Sequence, residues 1–231
     1  MQDMWILIPL ALFGLVVGSF IGAVSYRLPK NLGFIKGRSF CDTCKKDLHW
    51  FDNIPAFSYL VLGGKSSCCG KKISIRYPLI EIASGIGTVL VFLVSHNIIF
   101  CLLFFILLTI FVIDLENQII PDELSFLILL GGILCSFSFE KIFVGFFLSF
   151  LILLLYLLTK GKGMGLGDVK LTIGLGVWLS FSKGLTFLSI TFLTGGIIAF
   201  ILLLIGKAKL KTKLAFGPFL IVGFLITLLF L

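Results

Sequence analysis

The stretch IIFCLLFFILLTIFVI at residues 98–113, followed at once by Asp114-Leu115-Glu116-Asn117-Gln118-Ile119-Ile120-Pro121-Asp122, decides the fold. It is apolar all round and carries no charge until Asp114. A helix of that kind is buried in a large protein or lies in a bilayer. Its length approaches the ~17–25 residues needed to cross a hydrocarbon core of ~30 Å. Comparable runs fall at residues 4–26, 79–95, 123–139, 142–158, 168–181, 184–205 and 214–231, giving eight candidate spans. With 59% hydrophobic and 13% charged residues, a soluble chain of 231 residues has no core large enough to hide so many apolar runs. The expectation is an all-α polytopic membrane protein with about eight transmembrane helices. The first run has no basic region before it and continues through Gly18-Ser19-Phe20-Ile21-Gly22 to Tyr26-Arg27. It reads as a retained helix, not a cleaved signal peptide.

The net charge of +8 is unevenly placed. Ten Lys and Arg residues lie between Arg27 and Tyr77, and later clusters are Lys160/Lys162/Lys170 and Lys207/Lys209/Lys211/Lys213. With eight spans all three groups face one side, which the positive-inside rule makes the cytoplasm, with both termini outside. The basic charge then serves orientation and contact with membrane lipids, and no nucleic acid is expected as partner. The chain divides on this reading into a first helix at 1–26, a cytoplasmic loop domain at 27–78 and a membrane core at 79–231.

The loop domain holds Cys41-Asp42-Thr43-Cys44 and, beyond Trp50-Phe51-Asp52-Asn53-Ile54-Pro55, Ser66-Ser67-Cys68-Cys69-Gly70. A CxxC turn followed by a second Cys pair suits a small zinc ribbon, and a loop this short has too little core to fold unaided. Cys41, Cys44, Cys68 and Cys69 are the candidate structural zinc ligands. Reduced cytosolic thiols packed on the membrane are the alternative, because adjacent Cys68 and Cys69 do not easily both reach one tetrahedral ion. Cys101 and Cys135 lie within spans and read as small apolar packers. His49 and His96 have no companion at ligand spacing.

Asp114 and Asp168 are the chemically informative residues. An ionised carboxylate near the centre of a membrane helix costs at least ~2.5 kcal/mol, so such a group usually has a function. Both fall at span ends and, in the topology above, on the same cytoplasmic face. Asp168 follows Gly163, Gly165 and Gly167, which permit close backbone approach and an unwound stretch open to an extended peptide. Glu116, Asp122 and Glu123 read as solvated linker charges, with Asp122 also suited to start a helix after Pro121. Two carboxylates held close in a poorly solvated site share one proton: one takes a proton from water while the other hydrogen-bonds a carbonyl. That is the chemistry of aspartic proteolysis. No HExxH or P-loop motif occurs in the sequence. A transporter or scaffold with a zinc-binding loop is the competing class; it predicts repeated halves and acids at mid-membrane, neither of which the sequence shows.

The Asp-x6-Pro-Asp stretch from Asp114, with Gly165-x-Gly167-Asp168-x-Lys170, resembles the bacterial type IV prepilin peptidases of the GxGD intramembrane aspartic protease class. The likeness runs the length of the chain. It includes Gly18-Ser19-Phe20 with Tyr26-Arg27-Leu28-Pro29, Trp50-Phe51-Asp52-Asn53-Ile54-Pro55 with Ser58-Tyr59-Leu60, Arg76-Tyr77-Pro78-Leu79-Ile80-Glu81 and Phe216-Gly217-Pro218-Phe219. The resemblance implies an inner-membrane enzyme that removes the leader peptide from type IV prepilins and pseudopilins, with Asp114 and Asp168 as catalytic pair. It also implies N-methylation of the new N-terminal residue with S-adenosylmethionine. The chain departs from the family at Ser66, which stands at one cysteine position, and at Gly22, where many members carry Asn.

Overall fold

The computed structural model describes residues 4–30, 44, 46–47, 49, 54–55, 57–135, 137–161, 163–206 and 214–231. Among them the chain is all-α, with helices α1 (Met4–Arg27), α2 (Phe57–Val61), α3 (Arg76–Ser95), α4 (Ile98–Asn117), α5 (Asp122–Cys135), α6 (Phe139–Leu158), α7 (Leu166–Gly176), α8 (Phe181–Leu204) and α9 (Gly217–Phe230). A 3-10 turn, Leu28–Lys30, extends α1. The chain is a polytopic membrane protein: five helical segments, Trp5–Lys30, Arg76–Ser95, Ile98–Asn117, Phe139–Leu158 and Phe181–Leu204, are long and apolar enough to cross a bilayer.

The other three expected spans are helical but shorter. Helices α5 and α9 have 14 residues each and α7 has 11. At 1.5 Å per residue these reach about 21 Å and about 17 Å, against a core of ~30 Å. Boundaries also move: α4 continues past residue 113 to include Asp114, and the expected span at 168–181 becomes helix only over Leu166–Gly176. Apolar composition does not separate a span from a short helix enclosed by protein. Helix α7 is of the second kind, with Val169, Leu171, Thr172, Gly174, Leu175 and Gly176 all buried. Backbone that ends at membrane depth is tolerated where protein surrounds it.

Two compact units make up the chain, Met1–Thr109 and Ile110–Leu231. In the first, α1 packs along α3 through a row of glycines spaced by four, Gly14, Gly18 and Gly22. A Cβ on Gly18 would lie 2.7 Å from the Cα of Glu81, and one on Gly14 would lie 2.9 Å from the Cα of Gly85. The helices therefore meet backbone to backbone, which substitutes for the hydrophobic drive that lipid removes. The Ser84 hydroxyl donates to Gly14 O at 2.7 Å across this seam, an interhelical bond worth roughly 0.6–2 kcal/mol in membranes. Arg76 closes the end of the seam, donating to Gly22 O at 3.1 Å and to the Ser25 hydroxyl at 2.7 Å.

In the second unit α7 packs against α5, α6 and α9. A Cβ on Gly176 would stand 2.6 Å from the Cα of Gly145 in α6, and one on Gly174 would stand 3.1 Å from Ser125 O in α5. Two polar bonds fix α7 and the turn after it: Ser149 Oγ donates to Val169 O at 2.9 Å, and Trp178 Nε1 donates to Ile128 O at 3.0 Å. Leu148, Ile152, Leu171, Leu175, Phe187, Leu220 and Phe224 are fully enclosed around it. Phe187 and Phe224 meet edge to face at 6.2 Å. The outward faces are apolar too, with Phe143, Phe146, Phe150 and Leu157 exposed along α6, as a lipid-facing surface requires.

Candidate active site

Asp114 occupies the last turn of α4, only 4% exposed. Its main-chain carbonyl accepts from Gln118 N–H at 2.9 Å, and Gln118, with φ of 55°, turns the chain out of the helix. The carboxylate oxygen Oδ2 accepts from Gly217 N–H at 3.0 Å. Gly217 begins α9 and is followed by Pro218, so its amide is one of the unpaired donors at a helix start. A Cβ there would lie 2.6 Å from Asp114 Oδ2. Only glycine brings that amide so close to the carboxylate.

Asp168 is held in a parallel way by local structure. It is the third residue of α7, 6% exposed, and its Oδ2 accepts from Gly165 N–H at the helix N-cap, at 2.9 Å. This is the return half of a capping box, in which an acid reaches back to satisfy the cap amide. Both aspartates open into one pocket of about 590 Å³, walled by the turn after α4, the glycine-rich stretch before α7 and residues 214–216 before α9. Each thus has one oxygen tied to an amide. Among the described residues neither Oδ1 has a protein hydrogen-bond partner. A carbonyl group and a water in the pocket are served by such an arrangement as by a general acid and a general base.

At the rim Lys170 binds both oxygens of Asp122 at 2.7 and 2.9 Å, joining the starts of α5 and α7. Asp122 is therefore more than a solvated linker charge: it lines the pocket and is ion-paired. Glu116 and Glu123 are exposed. Ile120, in the pocket wall, is a site residue that the sequence did not single out, and Gly217 stands in the Phe216–Phe219 block of the resemblance with no sign there of its tie to Asp114. The glycine-proline step at 217–218 is the visible sign of a helix start there, but nothing local ties it to Asp114, 103 positions away.

In the loop, residues 64–73 curl into a tight knuckle closed by Ser66 N–H to Lys71 O, Ile73 N–H to Gly64 O and Gly70 N–H to Ser66 O. This turn brings Cys68 and Cys69 to the same side despite their adjacency. Their Sγ atoms and that of Cys44 lie within 4.8 Å of one another. Cys44 Sγ is 3.2 Å from Cys68 Sγ, and Ser66 Oγ is 3.1 Å from Cys68 Sγ. Thiolates on one tetrahedral zinc stand about 3.8 Å apart, so these three fit a shared ion. Cys41, the fourth candidate, lies outside the described residues. Cys101 is buried as expected, but Cys135 ends α5 exposed.

Fold and site together define a polytopic helical membrane protein organised around a two-carboxylate pocket. Residues 12–95 match the family model described as the bacterial peptidase A24 N-terminal domain, and residues 101–200 match that of the type IV leader peptidase family. The chain belongs to the type IV leader peptidase family. It is 34% identical to a prepilin leader peptidase/N-methyltransferase of Dickeya chrysanthemi, over 94% of this chain and 90% of that one. Proteins of the same description from Vibrio cholerae and Neisseria gonorrhoeae are 30% and 32% identical, over 95% and 96% of this chain and 95% and 92% of theirs. No solved structure matches.

Proposed function

We propose that this chain is an aspartic endopeptidase of the bacterial inner membrane that removes leader peptides from type IV prepilins and pseudopilins, with Asp114 and Asp168 as its catalytic pair. The observation that carries the reading is that two buried carboxylates from separate helices open into one pocket, each oriented by a single backbone amide. The ionised member of the pair takes a proton from water, whose oxygen bonds to the scissile carbonyl carbon. The protonated member gives its proton to the carbonyl oxygen. When the resulting diol collapses, the carbon–nitrogen bond breaks, the amine leaves with the proton that the first carboxyl had taken up, and a diol hydroxyl returns its proton to the second carboxylate as the new carbonyl forms. The enclosed site strengthens each of these interactions relative to water.

The glycine-rich wall at 163–167 admits an extended chain, since Gly163, Gly165 and Gly167 present no side chains to the pocket. The positive-inside rule, applied to the basic residues between Arg27 and Tyr77 and at 160–170, supports a cytoplasmic mouth for this pocket. Methylation of the exposed amine, with S-adenosylmethionine as donor, follows from what the relatives are called. Cys44, Cys68 and Cys69 would hold a structural zinc in the loop, giving a segment with little core the rigidity it lacks.

The test is leader cleavage by Asp114→Asn and Asp168→Asn proteins. Asparagine is nearly isosteric but does not exchange the proton, so each variant inserts normally and leaves the precursor uncut. Normal processing by either one removes that residue from the pair.

A further inference from the structure

We infer that Ile120 is a positioning residue, a rigid spacer whose side chain sets the separation of Asp114 and Asp168. The inference rests on the reading of those aspartates as a pair. Ile120 carries no reactive group, yet it lies between the two backbone segments that hold them. A Cβ on Gly167, the residue before Asp168, would stand 3.0 Å from Ile120 Cβ and 3.5 Å from its Cγ1 and Cδ1. A Cβ on Gly217, whose amide holds Asp114, would stand 3.2 Å from Ile120 Cδ1. One side chain therefore abuts the support of each carboxylate, and its Cδ1 faces both.

The backbone around Ile120 is constrained on both sides. Gln118 sits in the left-handed region at φ 55°, and Pro121 disfavours the helical conformation for the residue before it. The isoleucine is branched at Cβ and stiff at χ1, so it transmits position where a leucine or methionine would bend. It is half-buried and forms part of the pocket wall. The two glycines complete the arrangement, because a methyl at either one pushes on the spacer.

The experiment measures kcat and KM for a prepilin with purified full-length Ile120→Val, Ile120→Ala and Gly167→Ala, with Asp114→Asn and Asp168→Asn as references. Misplacing reacting groups by about 1 Å costs up to about 100-fold. Ile120→Ala should lose about tenfold or more in kcat with KM changed less than about twofold, as expected for an interaction expressed in the transition state. Ile120→Val, which keeps the branch at Cβ and loses only Cδ1, should fall between it and wild type. Gly167→Ala, whose methyl would meet Ile120 Cβ at 3.0 Å, should lose kcat in the same sense by pushing the spacer from the other side. A wild-type kcat in Ile120→Ala or in folded Gly167→Ala, or a loss confined to KM, overturns the spacer. If Gly167→Ala does not fold, the graded Val and Ala series at 120 decides alone. Cleavage by the Asp→Asn references would instead overturn the pair itself.

Discussion

Replacing Gly217 by alanine tests how Asp114 is held. The new methyl would stand 2.6 Å from Asp114 Oδ2, whereas ordinary van der Waals contact begins at 3.4 Å. The carboxylate or the start of α9 must therefore move by about 0.8 Å, and the 3.0 Å hydrogen bond from Gly217 N–H is stretched or lost with it. A hydrogen bond to a charged group contributes ~1.5–3 kcal/mol. A displacement approaching 1 Å costs up to about 100-fold when reacting groups are misplaced. Both estimates put the loss in kcat between about 10-fold and 100-fold. The assay is prepilin cleavage in detergent, read by intact mass, with amount and melting temperature of the variant compared with wild type. A folded Gly217→Ala protein that cleaves at the wild-type rate refutes the claim that this amide fixes the carboxylate.

Three further outcomes follow from the same geometry. Lys170→Met or Asp122→Asn removes an ion pair whose side chains are 53% and 66% exposed, and pairs of that kind contribute ~0–1 kcal/mol; cleavage should fall by less than about fivefold, and complete loss in folded protein would give the pair a direct part in the chemistry. Cys44→Ser and Cys68→Ser should each lower zinc content, measured by elemental mass spectrometry, and reduce methylation or stability more than cleavage; equal loss of both activities in folded protein would make the loop part of the peptidase. Gly18→Ala forces a methyl against Glu81 Cα at 2.7 Å, and overpacking of this kind costs ~1–3 kcal/mol; a lower melting temperature should report it, and an unchanged one would show that α1 and α3 separate without cost.

Much of this molecule is written locally in its sequence. The run at 98–113 needs no tertiary information to be read as a membrane helix, and an acid following it is conspicuous because lipid penalises charge. Helix α7 is harder: its 11 residues are as apolar as part of a span, and only the enclosure of Val169, Leu171 and Leu175 by neighbouring helices shows that it need not cross. The four-residue spacing of Gly14, Gly18 and Gly22 signals close helix approach, but the partner face of Glu81, Ser84 and Gly85 is set by long-range packing. The same holds at the site. Asp168 and its cap amide are three residues apart and follow from capping rules, whereas the Gly217 amide on Asp114 and the Ile120 wedge depend on where α9 and the turn after α4 arrive in space. Cys68 and Cys69 converge with Cys44 because the knuckle at 64–73 curls, a feature that residue spacing does not encode.

The most direct test is the mass of a purified prepilin after incubation with the detergent-solubilised protein, with and without S-adenosylmethionine, beside an Asp168→Asn control. The account predicts loss of the leader with wild type only, and a further methyl increment on the mature product when the donor is present. Intact precursor after incubation of several prepilins with folded wild-type protein, or cleavage by the Asp168→Asn control, would contradict it.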